Sequence, residues 1–202
     1  MPQPHKPKIS LIVLAAGASS RMNDARKQLL VYKGKTLLRQ AAETAIESEF
    51  ENVIVVLSAA AENFIREIED LPVQTVINEN AKIGISSSIK TGLSALAVEN
   101  YDAVIIMLCD QPLISTKTLR KLGDVFILTG KPIVACEYEN TFGVPVLFAR
   151  PFFSELMNLS EDEGAKKIIK KYRERTEFIR CPEAATDIDT VEDYQKLLQN
   201  LL

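Results

Sequence analysis

Seven short runs of β-branched and apolar residues recur along the chain, and stretches with helical spacing lie between most of them. The runs are Ile9 to Leu14, Asn52 to Leu57, Val73 to Ile77, Ala103 to Leu108, Pro132 to Cys136, Val146 to Phe148 and Glu177 to Arg180. Apolar spacing predicts helices over Leu37 to Ser48, Ala60 to Asp70, Ser86 to Val98, Thr116 to Leu128 and Gly164 to Arg173, with a helical tail from Val191 to Leu202. This alternation predicts parallel strands joined by right-handed crossovers, and so an α/β three-layer sandwich. Leu11 to Leu14 and Val104 to Leu108 lack polar alternation, which suits central strands covered on both faces. Only Glu137 to Pro145 separates the run ending at Cys136 from the one starting at Val146. That leaves no room for a helix, so the pair is expected as a hairpin that makes the sheet mixed.

With 202 residues, 47% of them hydrophobic, the chain is expected to form one domain over 1–202, with a short flexible N-terminal arm over 1–7. A net charge of -3 argues against a general nucleic-acid binder. No apolar run approaches the roughly 20 residues of a membrane span. Met1 to Lys8 is a polar, Pro-containing start rather than a signal peptide, so the expected location is cytoplasmic. Cys109, Cys136 and Cys181 are too few and too scattered for a disulfide framework or a zinc site, and are expected as small apolar fillers at strand ends.

In open α/β sheets, ligands sit beyond the carboxyl ends of the strands. The residues at three of those ends are unusual. After the first run come Leu14-Ala15-Ala16-Gly17, then Ser19, Ser20, Arg21 and Lys27, with almost no bulky side chain before Leu29. A glycine lets backbone approach a ligand closely, exposed N–H groups act as neutral donors, and Arg and Lys supply charge for a polyanion. Lys27 is flanked by Arg26 and Gln28, and Gly17 is followed by Ala18 and Ser19, so this is neither a Walker loop nor a dinucleotide turn.

After the fourth run, Asp110-Gln111-Pro112 puts a carboxylate at the strand mouth, facing the same crevice. Mg²⁺ prefers one or two carboxylates together with substrate oxygens and water, so Asp110 is a candidate ligand, with Asp187 and Asp189 of Thr186-Asp187-Ile188-Asp189-Thr190 as further candidates. A solvated strand end for Asp110 and a helix cap for Asp189 or Thr190 are the plainer alternatives. Between them, Asn78 to Gly92 opens a helix with Gly84 and three serines, Ser86 to Ser88. The serines either cap that helix or, with Gly84, frame a base or ribose. The sole histidine is His5, and no Gly-x-Ser-x-Gly motif or Cys/His pairing can be assembled, which disfavours acyl-transfer hydrolysis. Phosphoryl or nucleotidyl transfer needs no histidine.

The segment LAAGASSRM with Lys27-Gln28-Leu29-Leu30 and Gly34-Lys35-Thr36-Leu37-Leu38 resembles the N-terminal signature of nucleotidyltransferases that activate sugars, isoprenoid precursors and pterins. Asn78 with Gly84 and Ser88, Cys109-Asp110-Gln111-Pro112, Gly143 to Phe148, Glu163 to Lys166 and Asp187 to Thr190 follow in order and resemble the molybdenum cofactor cytidylyltransferase branch. The resemblance implies a nucleotide-diphospho-sugar transferase type of fold, with a Rossmann-like, mostly parallel mixed sheet. It implies transfer of CMP from CTP to the terminal phosphate of molybdopterin, with release of pyrophosphate. Catalysis would then rest on Lys27, Arg21 and Asp110. The nucleotide would be bound by Leu14, Ala15, Ala16, Gly17, Ser19, Ser20, Arg21, Lys27, Asn78, Gly84, Ser88 and Asp110, and Mg²⁺ by Asp110 with Asp189 or Asp187. A xanthine dehydrogenase-type hydroxylase would be the client. Ala16 and Gln111 stand where the related guanylyltransferases carry Gly and Thr, which points to cytosine. Asn23 and Val144 depart from the Gly and His common in the family. Transfer to a sugar or polyol phosphate, and cofactor delivery without turnover, are the rival readings.

Overall fold

The computed structural model describes residues 6–17, 26–59, 61–97, 100–161 and 163–199. One seven-stranded sheet runs through it. Its strands are β1 (Ile9–Leu14), β4 (Asn52–Ser58), β5 (Gln74–Asn78), β6 (Ala103–Leu108), β7 (Ile133–Tyr138), β8 (Thr141–Ala149) and β9 (Thr176–Arg180), while β2 (Val31–Tyr32) and β3 (Lys35–Thr36) form a separate small hairpin. The order across the large sheet is β5-β4-β1-β6-β8-β7-β9. The β5–β4, β4–β1, β1–β6 and β7–β9 pairs are parallel; β6–β8 and β8–β7 are antiparallel. The sheet is thus mostly parallel and mixed, as the alternation and the hairpin predict.

Strands β1 and β6 lie at the centre because both of their faces are apolar. Leu11 and Val13 of β1 pack with Val53, Val55, Ile105, Met107 and Leu122 on one face. Ile12 and Leu14 pack with Ile54, Val56, Ile106, Ile89, Leu93 and Phe148 on the other. Helices cover both faces: α1 (Leu37–Glu47) and α4 (Thr116–Thr129) on the first, and α3 (Ile85–Ser94), α5 (Phe153–Met157) and α6 (Ala165–Lys171) on the second. Two of these starts are capped in the expected way, with Thr36 Oγ1 accepting from Arg39 N at 3.2 Å and Ser115 Oγ from Thr118 N at 3.3 Å.

Two elements differ from expectation. Strand β8 begins at Thr141, because a two-residue turn at Glu139 (φ 44°) and Asn140 (φ 62°) closes the hairpin and leaves most of Glu137 to Pro145 in strand. Helix α2 spans only Glu62–Arg66. Beyond it, Glu67 and Asp70 are engaged by α1 and its cap: Thr36 Oγ1 donates to Glu67 at 3.0 Å and the Arg39 guanidinium grips both Asp70 oxygens at 2.8 Å. The tail helix α7 is described over Val191–Gln199, and its expected last residues, 200–202, lie outside the described residues.

All three cysteines are buried, as apolar fillers should be. Their scatter along the chain is nevertheless misleading. The parallel β7–β9 register pairs Cys136 with Ile179, and Cys181 extends the ladder by donating its N–H to Glu137 O at 3.0 Å. The two thiols consequently meet, at 2.8 Å between sulfurs.

Candidate nucleotidyl-transfer site

The carboxyl ends of β1, β4, β5 and β6 open onto one crevice. Strand β1 delivers Ala15, Ala16 and Gly17 to it, with the sheet ladder carried one residue past β1 by the bond from Ala15 N to Val56 O at 2.9 Å. The turn is fixed from beneath by Gln28, which is 1% exposed and whose Nε2 donates to Ala15 O at 3.0 Å and Gly17 O at 2.7 Å. Sequence reading gave Gln28 no role, since in Lys27-Gln28-Leu29-Leu30 it reads as one polar residue before an apolar pair. A Cβ placed on Gly17 would touch Lys27 Cε at 3.7 Å, so the lysine stem packs directly over this turn.

Lys27 starts the short 3₁₀ turn Lys27–Leu29, and its ammonium lies between two carboxylates. It donates to Asp110 Oδ2 in a very short contact and to Asp189 Oδ1 at 3.0 Å. Burial alone would lower its pKa. The charge of Asp110 and its hydrogen bond, reinforced by Asp189, outweigh that and lift it well above the ordinary lysine range. Lys27 is therefore a fixed cation and not a proton acceptor.

Asp110 reaches this point because β6 ends there. Its carbonyl accepts from Ile188 N at 3.0 Å, and Gln111 Nε2 donates to Ala184 O at 3.0 Å, so the late segment is strapped back across the strand mouth. That strap brings in Asp189 and Asp187. Burial first, then the charge of Asp110 and of Asp189, push the Asp187 carboxyl up to about 6, with Gln111 and Lys27 pulling the other way. Neighbouring Cys109 is no nucleophile: burial, then Asp110, hold its thiol far above its usual range.

Whether a divalent cation suits these residues can be judged from the oxygens themselves. Asp110 Oδ1 is buried and has no hydrogen-bond partner among the described residues, while Asp189 is 44% exposed at its side chain. No group of three or more His, Cys, Asp or Glu among the described residues is arranged to hold a metal alone. A pair of carboxylates needing phosphate oxygens and water to complete the shell fits Mg²⁺ in its usual form.

Across the crevice, Asn78 is 2% exposed and donates to Ser87 Oγ at 2.8 Å and Ser88 Oγ at 2.9 Å, while its Oδ1 accepts from Asn80 N at 2.9 Å. This network ties the end of β5 to the first turn of α3. The serines do not cap that helix: its N-cap is Gly84, at φ 131°, and no side chain caps it. Ser86 instead donates to Glu161 O at 2.6 Å and Ser87 to Gly84 O at 2.7 Å.

Of the residues singled out in the sequence, Leu14, Ala16, Gly17, Lys27, Gly84, Ser88 and Asp110 line one cleft of about 350 Å³, whereas Ala15, Asp187 and Asp189 are not among its walls. A second cleft of about 420 Å³ reaches Asn78 and is also walled by Arg26, Phe64 and Lys82. The two share Ala16, Gly17, Gln28, Ala81 and Lys82 and so form one continuous depression. Lys82, an exposed cation on its rim, carries no sequence signal beyond its position after Asn78. Ser19, Ser20 and Arg21, like Asn23, lie outside the described residues.

Residues 11–176 match the MobA-like NTP transferase domain family. Among curated relatives, the nicotine blue oxidoreductase of Paenarthrobacter nicotinovorans is 29% identical over 95% of this chain and 97% of its own. The purine catabolism protein PucB of Bacillus subtilis is 26% identical over 91% and 92%. Among solved structures, Rv0371c of Mycobacterium tuberculosis H37Rv superposes with a TM-score of 0.85 and 30% identity, covering 96% of this chain and 99% of that one. Another structure of that mycobacterial protein is a complex with manganese, at 29% identity and a TM-score of 0.79, covering 95% and 98%.

Proposed function

The chain belongs to the MobA-like NTP transferase family, and from that membership we propose that it transfers CMP from CTP to the terminal phosphate of molybdenum-loaded molybdopterin, releasing pyrophosphate. The observation that carries the reading is the Lys27 ammonium held between Asp110 and Asp189 at the mouth of the β1/β6 crevice. Nucleotidyl transfer asks for little else than this: a polyanion positioned, and its developing charge neutralised.

In this reading the triphosphate lies along Ala15 to Gly17, on backbone whose direction Gln28 fixes. A phosphate oxygen of the acceptor attacks the α-phosphorus of CTP, and the bond to the β-phosphate oxygen breaks as pyrophosphate leaves. Lys27 faces the charge that builds at that centre, and Arg21 serves the β and γ phosphates, as the family resemblance implies. Asp110, with Asp189 or Asp187, would hold Mg²⁺, which supplies Lewis-acid polarisation of the phosphoryl oxygens when bound. The manganese in the mycobacterial structure supports a divalent cation in a protein of this kind. Cytosine is favoured because Ala16, 3% exposed, puts a methyl into the wall shared by both clefts, where a purine needs more room. The purine-catabolism name of the Bacillus relative agrees with a client of the xanthine dehydrogenase type. Such an enzyme uses a molybdenum cofactor on a purine. A cytoplasmic, single-domain protein spanning 1–202 is the setting in which this would occur. Among the described residues no helix is long and apolar enough to cross a membrane.

A second reading is favoured by one observation, the oxidoreductase name of the Paenarthrobacter relative. Both are tested by one experiment: single-turnover pyrophosphate release with Mg²⁺ and molybdenum-loaded molybdopterin, comparing CTP with GTP, ATP and UTP, with a parallel assay for redox turnover of nicotine blue. Release with CTP alone supports the proposal. Release only when a sugar or polyol phosphate replaces the pterin moves the acceptor. Tight pterin binding without release favours delivery, and redox turnover of nicotine blue without release favours the oxidoreductase.

A further inference from the structure

Two buried thiols lie outside the crevice yet at the root of the segment that supplies Asp187 and Asp189. Cys136 is 0% exposed and Cys181 is 1% exposed. The Cys136 thiol donates to Cys181 Sγ at 2.8 Å, which is within about 1 Å of the roughly 2.05 Å of a disulfide bond. Their proximity follows from the sheet: in the parallel β7–β9 register Cys181 is the next residue after Ile179 on the face of Cys136. The hydrogen bond from Cys136 holds Cys181 below the ordinary thiol range against the pull of burial, which favours its thiolate as the attacking sulfur.

Directly after Cys181 the chain makes the 3₁₀ turn Pro182–Ala185. That turn is tied to the crevice by Gln111 Nε2 on Ala184 O at 3.0 Å, and to α4 by Thr118 Oγ1 on Glu183 at 2.5 Å. Ile188 N then binds Asp110 O, and Asp189 binds Lys27. A covalent bond at Cys181 would remove freedom from the first residue of this connection.

We propose that Cys136 and Cys181 are a reversible dithiol–disulfide pair, a modification site at which a hydroperoxide cross-links β7 to the segment carrying Asp187 and Asp189. In the first step the Cys181 thiolate attacks the peroxide oxygen, the O–O bond breaks, and a sulfenic acid forms while the departing hydroxide takes up the proton that Cys181 released and leaves as water. In the second the Cys136 sulfur attacks that sulfur as its own thiol proton passes to the departing hydroxyl, the S–O bond breaks, and a second water departs. The two thiols are oxidised and one peroxide is reduced, with the atoms balanced. Burial restricts the site to oxidants as small as hydrogen peroxide. The inference is independent of the nucleotide chemistry proposed above.

The test treats the full-length reduced protein with stoichiometric hydrogen peroxide. Free thiols should fall from three to one, and a non-reducing peptide map should give one cross-linked pair, Cys136 with Cys181, that dithiothreitol releases. Hydrogen exchange over residues 182–190 should slow several-fold in the oxidised form and recover on reduction. Cys136→Ser should leave Cys181 as a sulfenic acid that dimedone traps. The wild-type map decides the matter if that variant does not fold. Three persisting thiols, consumption of Cys109, a cross-link between chains, or unchanged exchange over 182–190 would each overturn the proposal.

Discussion

Lys27 and Asp189 are 162 positions apart in sequence and 3.0 Å apart in space, with Asp110 on the other side of the same ammonium. The lysine is the cation that lets both carboxylates approach one crevice.

Lys27→Met should therefore separate chemistry from binding. It removes a donor from the place where transition-state charge develops, and kcat for pyrophosphate release should fall about 10²–10³-fold, the usual cost of one such donor. Manganese titrated alone, followed by its electron spin resonance, should bind the variant more tightly than wild type, because Asp110 and Asp189 lose a competing cation. Near-normal turnover would remove Lys27 from the mechanism.

Gln28→Leu keeps the volume but deletes the two bonds to Ala15 O and Gly17 O. A buried carbonyl left without a donor, as Ala15 O would be, costs about 1–3 kcal/mol. Thermal unfolding should shift down accordingly, by about 2–4 °C for each kcal/mol at this chain length. The nucleotide KM should rise more than kcat falls, since in the proposed reading the loop that loses its direction holds phosphate.

Asp187 gives a pH signature. Its carboxyl is raised to about 6 in the fold, above its unfolded value, so the folded state binds the extra proton. The stability from this group is full below the unfolded pKa and is lost as pH rises through about 6. Asp187→Asn should melt higher than wild type near pH ~8 in chelator. The gap should close below pH ~4. Equal melting at both ends would show that Asp187 ionises without penalty.

Ala16→Gly tests base choice. If the methyl crowds a purine, the preference for CTP over GTP should relax by about tenfold, the lower end of what one small group can discriminate. An unchanged ratio would assign the base to other walls of the cleft.

Gly92 is required by packing. A Cβ there would meet Ile12 Cγ2 at 2.7 Å and Val56 Cγ2 at 3.1 Å, both on buried, branched side chains of central strands. Gly92→Ala should destabilise by about 1–3 kcal/mol despite improving helix propensity. Differential scanning calorimetry would detect it, and an unchanged midpoint would mean that α3 can lift off β1 freely.

What could be read in advance divides along a physical line. The central strands were legible because burial on both faces leaves an unbroken run such as Val104 to Leu108. Asp110 stood out because a carboxylate at the mouth of such a run is costly unless it has a task, and Lys27 because it follows the Gly17 turn on a segment with few bulky side chains. Gln28 was invisible, since its work is on carbonyls of a turn that only the folded chain brings near. Helix α2 was overestimated because Arg39 and Thr36, remote in sequence, draw Glu67 and Asp70 out of helical register. The meeting of Cys136 and Cys181 depended on the β7–β9 register, and no spacing encodes that.

The strand made first sits in the middle of the finished sheet, with later strands paired on either side of it. On the ribosome, β1 and the Gly17 turn emerge long before Asp110, and the Asp187–Asp189 segment follows later still. A nascent chain thus carries that turn through the synthesis of the residues between, without the carboxylates that come to face it. The crevice is complete only when the strap closes at Ile188 and Ala184.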